Sequence, residues 1–369
     1  MNPVNHQIRL AARPTGLPAR SGWETTTEPV PVPGPGEFVV AVCYLSLDPA
    51  MLTWINARSS FVEPVAIGAV MEAGAIGRVT ASRHRGFAAG EHVYGGFGVQ
   101  EFACSDGTGV TKLDPLLAPL PAYLGALGIT GLTAYFGLLD VGGIRAGDTV
   151  VVSGAAGAVG SVAGQIAKVK GCQVVGIAGG PDKCRWITGD LGFDTAIDYK
   201  AEDVGRALQQ HAPGGVDVFF DNVGGEILDA VLSRLARGAR IVLSGGVSQY
   251  AAGQARGPAN YLELIGARAS MTGSLTPDYS HRYQAARAEL AGWLSEGRLI
   301  SREDIIEGSV RVFPDVLPKL FTGENIGKLM LTVPWSHGAG NWTSPAGSLA
   351  GCPVSGRRSG RRRCAGFRR

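Results

Sequence analysis

The sequence has no apolar run approaching the length of a membrane span, so no bilayer-crossing helix is expected. Met1 to Pro14 lacks the apolar core of a secretory leader, so export is not expected either. Six cysteines (Cys43, Cys104, Cys172, Cys184, Cys352 and Cys364) form no Cys-x-x-Cys pair. A chain of 369 residues does not need disulfide staples, and a reducing, cytoplasmic setting fits. The six histidines are scattered, with no Gly-His-Glu segment and no four-cysteine loop. No metal site is therefore expected, and Cys43, in an apolar strand, reads as core. Gly-x-Ser-x-Gly is missing from any strand–helix elbow, which argues against a serine hydrolase. No internal repeat is found.

What is present is ordinary for a globular chain: 45% hydrophobic and 18% charged residues. Glycine is abundant, at 55 residues, which suits an α/β protein with tight turns around a phosphate. The net charge of +3 misleads, because seven arginines and no acid lie beyond Ser336. Without them, 27 basic residues face 31 acidic ones, a balance that offers nucleic acid no surface. Residues 336–369 are rich in Ser, Gly and Arg without apolar period and read as a disordered tail, either native or a run-on end.

Along the chain, the first stretch is short and strand-like, as in Phe38 to Val42, Ile76 to Val79 and His92 to Tyr94, with Pro and Gly between. After Pro121 strands alternate with helices. The strands are Asp148 to Ser153, Gln173 to Ile177, Asp194 to Tyr199, Val216 to Asp221 and Arg240 to Ser244. The helices are Ala158 to Lys170, Pro181 to Asp190 and Glu226 to Leu235, followed by a long amphipathic stretch from Ser280 to Glu296. Such alternation means a parallel sheet with helices on both faces. The chain then returns to strand near Lys328 to Val333. The expected organisation is a β domain over 1–125, a doubly wound α/β domain over 126–300, a return to the first domain over 301–335, and the tail.

The strongest local signal is Val151-Val-Ser-Gly-Ala-Ala-Gly-Ala-Val-Gly160. A buried strand runs into small residues, and a helix starts there. Gly154 or Ala155 permits the turn, Gly157 lets backbone approach a pyrophosphate, and Gly160 lets the helix pack on the sheet; Ala156, Ala158 and Val159 complete the loop. The helix N-terminus supplies N–H groups and partial positive charge, so this is a dinucleotide site. An NAD site has an acid at the end of the second strand. Here that place holds Ala178-Gly179-Gly180, leaving room for a 2′-phosphate, and Lys183 adds charge; NADPH is the expected cofactor. Asp182 reads as an acid favoured in the first turn of a helix.

Together, the glycine loop, Gly171 to Gly180, Leu191-Gly-Phe-Asp194, Asp221-Asn-Val-Gly-Gly225, Arg13-Pro14 with Gly16 to Pro18, Tyr44-Leu-Ser-Leu-Asp-Pro49 and Gly131-Leu-Thr-Ala-Tyr135 resemble a known family. It is the zinc-independent medium-chain dehydrogenase/reductase group of leukotriene B4 12-hydroxydehydrogenase and prostaglandin reductases, with alkenal double-bond reductases and NADPH-dependent curcumin reductases. The resemblance runs from about Asn5 to Pro334. It implies a GroES-like β domain plus a Rossmann domain, a homodimer, and NADPH-dependent reduction of the C=C bond of α,β-unsaturated ketones and aldehydes. It implies further that Lys183 and Tyr199 contact the 2′-phosphate beside Gly179. Asn222 would hold the nicotinamide or its ribose, Ser244, Gly245 and Asn325 would line the cofactor, and Tyr250 would stand near the cofactor and the substrate oxygen as the catalytic hydroxyl.

Two departures qualify the family pattern. Ala50 stands where a substrate-facing Tyr is common, and Leu52 where Arg is common. Gly128-Ile-Thr-Gly131 replaces a segment where Met-Pro is commoner. Other readings of single residues stay open: Tyr250 as a packing or backbone-capping residue, Asn222 as a turn residue, Lys183 as a solvated helix residue. A quinone reductase of the same fold is the rival activity. A non-catalytic NADPH-binding protein with a nucleic-acid-binding tail is the more distant one.

Overall fold

The computed structural model describes residues 4–56, 62–252 and 255–334, so the Arg-rich 336–369 segment lies outside the described residues. The first strands are β1 (Val4–Leu10), β2 (Trp23–Pro29), β3 (Phe38–Ser46), β4 (Gly74–Ser82), β5 (His92–Gly96), β6 (Phe102–Ser105) and β7 (Thr111–Leu113). Next come β8 (Thr149–Ser153), β9 (Gln173–Ala178), β10 (Thr195–Asp198), β11 (Val216–Asp221), β12 (Leu235–Leu243) and β13 (Ser270–Gly273). The last are β14 (Glu303–Ile306) and β15 (Lys328–Thr332).

Strands β8 to β13 form one parallel sheet in the order β10-β9-β8-β11-β12-β13. This is the doubly wound dinucleotide-binding order, whose direction reverses between β8 and β11. The apolar runs of these strands suit burial on both faces, and side chains alternate between two cores. Val150, Val152, Val174, Val218, Phe220 and Val242 enter one core. Val151, Val175, Ile177, Phe219 and Ile241 enter the other. The first sheet, built mainly from the N-terminal strands, runs β14-β15-β3-β4-β5-β7, with β6 on β3, and packs around Ile8, Leu10, Phe38 and Leu45. Late strand β15 pairs antiparallel with β3, returning the chain to the first sheet. The fold class is thus the mixed α/β arrangement expected. Among the described residues no helix is long and apolar enough to cross a membrane.

Some boundaries differ from the sequence pattern. The helix expected to reach Leu235 ends at Leu232, and Leu235 opens β12 beside Val216. Its leucine satisfies either a helical or a strand period, and pairing with β11 decides. The stretch from Ser280 is a 3-10 turn over Thr276–Arg282 followed by a helix over Tyr283–Ser295. Strand β13 carries no apolar alternation in Ser-Met-Thr-Gly, so only its pairing with β12 reveals it.

Candidate functional site

In a doubly wound sheet the ligand crevice falls where the strand order reverses, here at the C-terminal ends of β8 and β11. On the β8 side, Gly154 has φ 57°, a left-handed conformation that disfavours side chains. Gly157 caps the helix Ala158–Val169 with no side chain to satisfy its first turn, so the first-turn N–H groups are available to an anion. A Cβ at Gly160 would lie 2.3 Å from the Gly154 carbonyl oxygen and 2.9 Å from the Ala155 Cα, so helix and turn touch backbone to backbone. Ala155 and Ala156 are buried beneath the turn. The segment before β15 closes over it: Gly327 N–H donates to the Ala156 carbonyl at 2.8 Å, and Asn325 Nδ2 donates to the Gly327 carbonyl at 3.0 Å. Asn325 therefore shapes the strap across the loop. These features form a cradle that fits a dinucleotide pyrophosphate.

On the β11 side one buried carboxylate organises the turn. Asp221 is fully buried. It accepts from Ser153 Oγ at 2.7 Å, from Val223 N–H at 3.0 Å, and from Gly224 N–H at 3.1 Å on each oxygen. Burial pushes its pKa up, while these donors pull it back down. Its main-chain carbonyl accepts from the N–H groups of Ser244 at 2.8 Å and Gly245 at 3.0 Å. Asn222 Nδ2 donates to the Ser153 carbonyl at 2.7 Å, and the Asn222 carbonyl accepts from Val247 N–H at 3.1 Å. Neither Asp221 nor Ser153 stood out in the sequence as a functional residue; a buried acid at a strand end was the available signal.

Tyr250 ends the short helix Val247–Tyr250, and its hydroxyl accepts from Gly246 N–H at 3.1 Å. Its ring packs against the first-sheet core that includes Leu47, Met51 and Leu52. Burial is the main cause raising its pKa, so the phenol keeps its proton at neutral pH. It is thus a capping residue by geometry, yet a hydroxyl that accepts one bond still has its proton to donate.

At the end of β9, a Cβ on Gly179 would meet the Tyr199 ring at 2.8 Å and Lys200 Cε at 2.9 Å. Gly180, at φ 99°, precedes the helix Pro181–Gly189 and donates its N–H to Asp198 at 2.8 Å. Lys183 Nζ donates to the Gly323 carbonyl at 2.8 Å. Burial, then Lys200, lowers its pKa, and Asp304 opposes them. The structure thus brings Gly179, Lys183 and Tyr199 together and adds Lys200. In the first sheet, Ala50 and buried Leu52 bracket the start of the helix Met51–Trp54 beside the Asp48–Lys328 ion pair at 2.7 Å. Among the described residues no group of three His, Cys, Asp or Glu could hold a metal ion.

A family described as the N-terminal domain of oxidoreductase matches residues 6–113, and one described as zinc-binding dehydrogenase matches residues 158–292. The chain is 45% identical over 337 residues to a putative NADP-dependent oxidoreductase, YfmJ, of Bacillus subtilis, covering 90% of this chain and 99% of that one. It is 38% identical to the NADPH-dependent curcumin reductase of Escherichia coli, covering 89% of this chain and 97% of the relative. The crystal structure of CurA from Vibrio vulnificus in complex with NADPH superposes with a TM-score of 0.84 at 41% identity, over 90% of this chain and all of that one. With this sheet order, this crevice and these relatives, the chain belongs to the zinc-independent medium-chain dehydrogenase/reductase family of NADP-dependent oxidoreductases.

Proposed function

We propose that this protein uses NADPH to reduce the C=C bond of α,β-unsaturated ketones and aldehydes. The observation that carries the reading is the Tyr250 phenol, held by Gly246 N–H beside the Asn222 turn with its own proton retained. NADPH, when bound, supplies the hydride for the β-carbon. The chain supplies the rest. Gly154 to Gly160 hold the pyrophosphate on backbone and helix N-terminus, and Gly179, Lys183 and Tyr199 receive the 2′-phosphate. Asn222, Ser244, Gly245 and Asn325 frame the remainder of the crevice. Tyr250 donates toward the carbonyl oxygen, where negative charge develops, and a proton from solvent then adds at the α-carbon to complete the reduction.

The test is NADPH and NADH oxidation with a 2-alkenal and with a small quinone, with and without chelator, for the parent and Tyr250→Phe. Chelator-insensitive alkenal turnover with NADPH is expected, and Tyr250→Phe should lower kcat/KM about 100-fold with NADPH affinity unchanged. Turnover of the quinone alone would replace this reading with a quinone reductase. Full alkenal activity in Tyr250→Phe would remove the phenol from the chemistry.

The protein is further proposed to be a cytoplasmic homodimer. Strand β13 ends its sheet, and Tyr261, Leu262 and Ile265 nearby in sequence are 58%, 61% and 75% exposed. An open strand edge with apolar neighbours favours pairing with a second copy. Light scattering at the mass of one chain would reject it.

A further inference from the structure

We propose that Lys200 is a second cationic specificity residue, joining Lys183 and Tyr199 on the 2′-phosphate of NADPH and setting the preference over NADH. The inference rests on the NADPH reading above and extends it to a residue with no assigned role. In a doubly wound sheet, the adenosine ribose falls at the end of the second strand, here Ala178-Gly179-Gly180. The Lys200 side chain crosses that point, since a Cβ on Gly179 would lie 2.9 Å from its Cε.

The two lysines are not equivalent. Lys183 Nζ is already directed to the Gly323 carbonyl, and Asp304 stands close enough to raise its pKa. Lys200 is exposed, and among the described residues its ammonium has neither a hydrogen bond nor an ion pair. Its backbone is nevertheless fixed, because its N–H donates to Asp198 Oδ1 at 3.1 Å. The same carboxylate oxygen accepts from Gly180 N–H at 2.8 Å. Asp198 thereby ties the Gly179–Gly180 corner to the Tyr199–Lys200 turn. The Lys200 charge is felt at Lys183, whose pKa it helps to lower, and an anion near both offsets that repulsion. A phosphate with two negative charges satisfies both, whereas the 2′-hydroxyl of NADH satisfies neither.

The experiment titrates the full-length protein with NADPH, NADH, adenosine 2′,5′-bisphosphate and 5′-AMP, for the parent, Lys200→Met and Lys200→Arg. Methionine keeps the stem over Gly179 and removes the charge. The expected result is NADPH and bisphosphate affinity lower by roughly tenfold in Lys200→Met, NADH and 5′-AMP affinity within twofold of the parent, and recovery in Lys200→Arg. Equal weakening of NADPH and NADH in Lys200→Met would overturn the proposal, showing that Lys200 merely supports the corner. Unchanged NADPH affinity would overturn it as well. A parent that binds NADH as tightly as NADPH would instead sink the cofactor reading itself, a different outcome in a different sample.

Discussion

The two walls of the crevice are built by different physics. The β8 wall is steric: Gly160 and Gly154 lie so close that one added carbon would sit 2.3 Å from a backbone oxygen. The β11 wall is polar: Asp221, Ser153 and Asn222 knit three backbone segments through side-chain and main-chain hydrogen bonds. A steric wall tolerates no substitution because backbone cannot move aside. A hydrogen-bonded wall tolerates change in shape but not the loss of an acceptor. Under the proposed function, the first is the seat of the pyrophosphate. The second holds the Asn222, Ser244–Gly245 and Tyr250 segments in register with each other.

The largest effect is expected on the steric wall. Glycine to alanine inside an exposed helix normally stabilises it by about 1 kcal/mol. Gly160→Ala should reverse the sign, costing about 3 kcal/mol through overpacking against Gly154 and Ala155, and should weaken NADPH binding more than tenfold. Thermal unfolding and NADPH titration read both. A variant as stable as the parent, with normal binding, would show that the wall can yield and would erase the distinction between the two walls.

Asp221→Asn sharpens the other side. With the amide oxygen in the place of Oδ1, which accepts from Ser153, Val223 and Gly224, the new NH2 is turned toward the Gly224 N–H that Oδ2 now accepts. A buried NH2 facing another N–H, with no acceptor on that side, costs about 1–3 kcal/mol. The expected outcome is a loss of about 2 kcal/mol of stability, reported by denaturant unfolding. Burial works in the opposite direction: with its folded pKa above the unfolded value, the ionised Asp221 costs stability as pH rises through that folded value. The parent's Asp221 contribution is therefore largest at acid pH, and removing the charge recovers part of the desolvation. An Asn variant more stable than the parent at neutral pH would mean that desolvation outweighs the four hydrogen bonds.

This contrast also explains what the sequence discloses. Steric requirements leave glycines, so the strand–turn–helix around Gly154 to Gly160 and the Gly179–Gly180 corner can be read from residue types alone. Buried parallel strands are also legible, because unbroken β-branched runs such as Val150-Val-Val152 need no partner to be recognised. Polar organisation leaves no such mark. Asp221 looks like one more acid at a strand end until the Ser153 hydroxyl and the Gly224 N–H are seen on it. Lys200 looks like a solvated turn residue until its stem is found across Gly179. Strand β13 has no apolar pattern and exists through its partner β12. Tyr250 is the intermediate case: the motif names the residue, and only the structure shows its oxygen accepting from Gly246.

The smallest predicted effect joins this contrast to cofactor choice through pH. Lys183 is a charged group whose pKa burial and the neighbouring Lys200 hold below the ordinary lysine value of 10.5. In the cofactor-free protein it therefore sheds its proton at lower pH than a solvated lysine. A bound 2′-phosphate favours the ammonium, so above that lowered pKa binding must take up a proton. NADPH affinity should then fall as pH rises toward 10.5, by less than the tenfold per pH unit that one linked proton allows. NADH, without the phosphate, should show little slope. Lys183→Met should flatten the NADPH curve. Lys200→Met should shift its fall to higher pH, because one of the two causes depressing Lys183 is gone. Parallel NADPH and NADH profiles in the parent would detach Lys183 from the phosphate and leave the corner at Gly179 with a steric role alone.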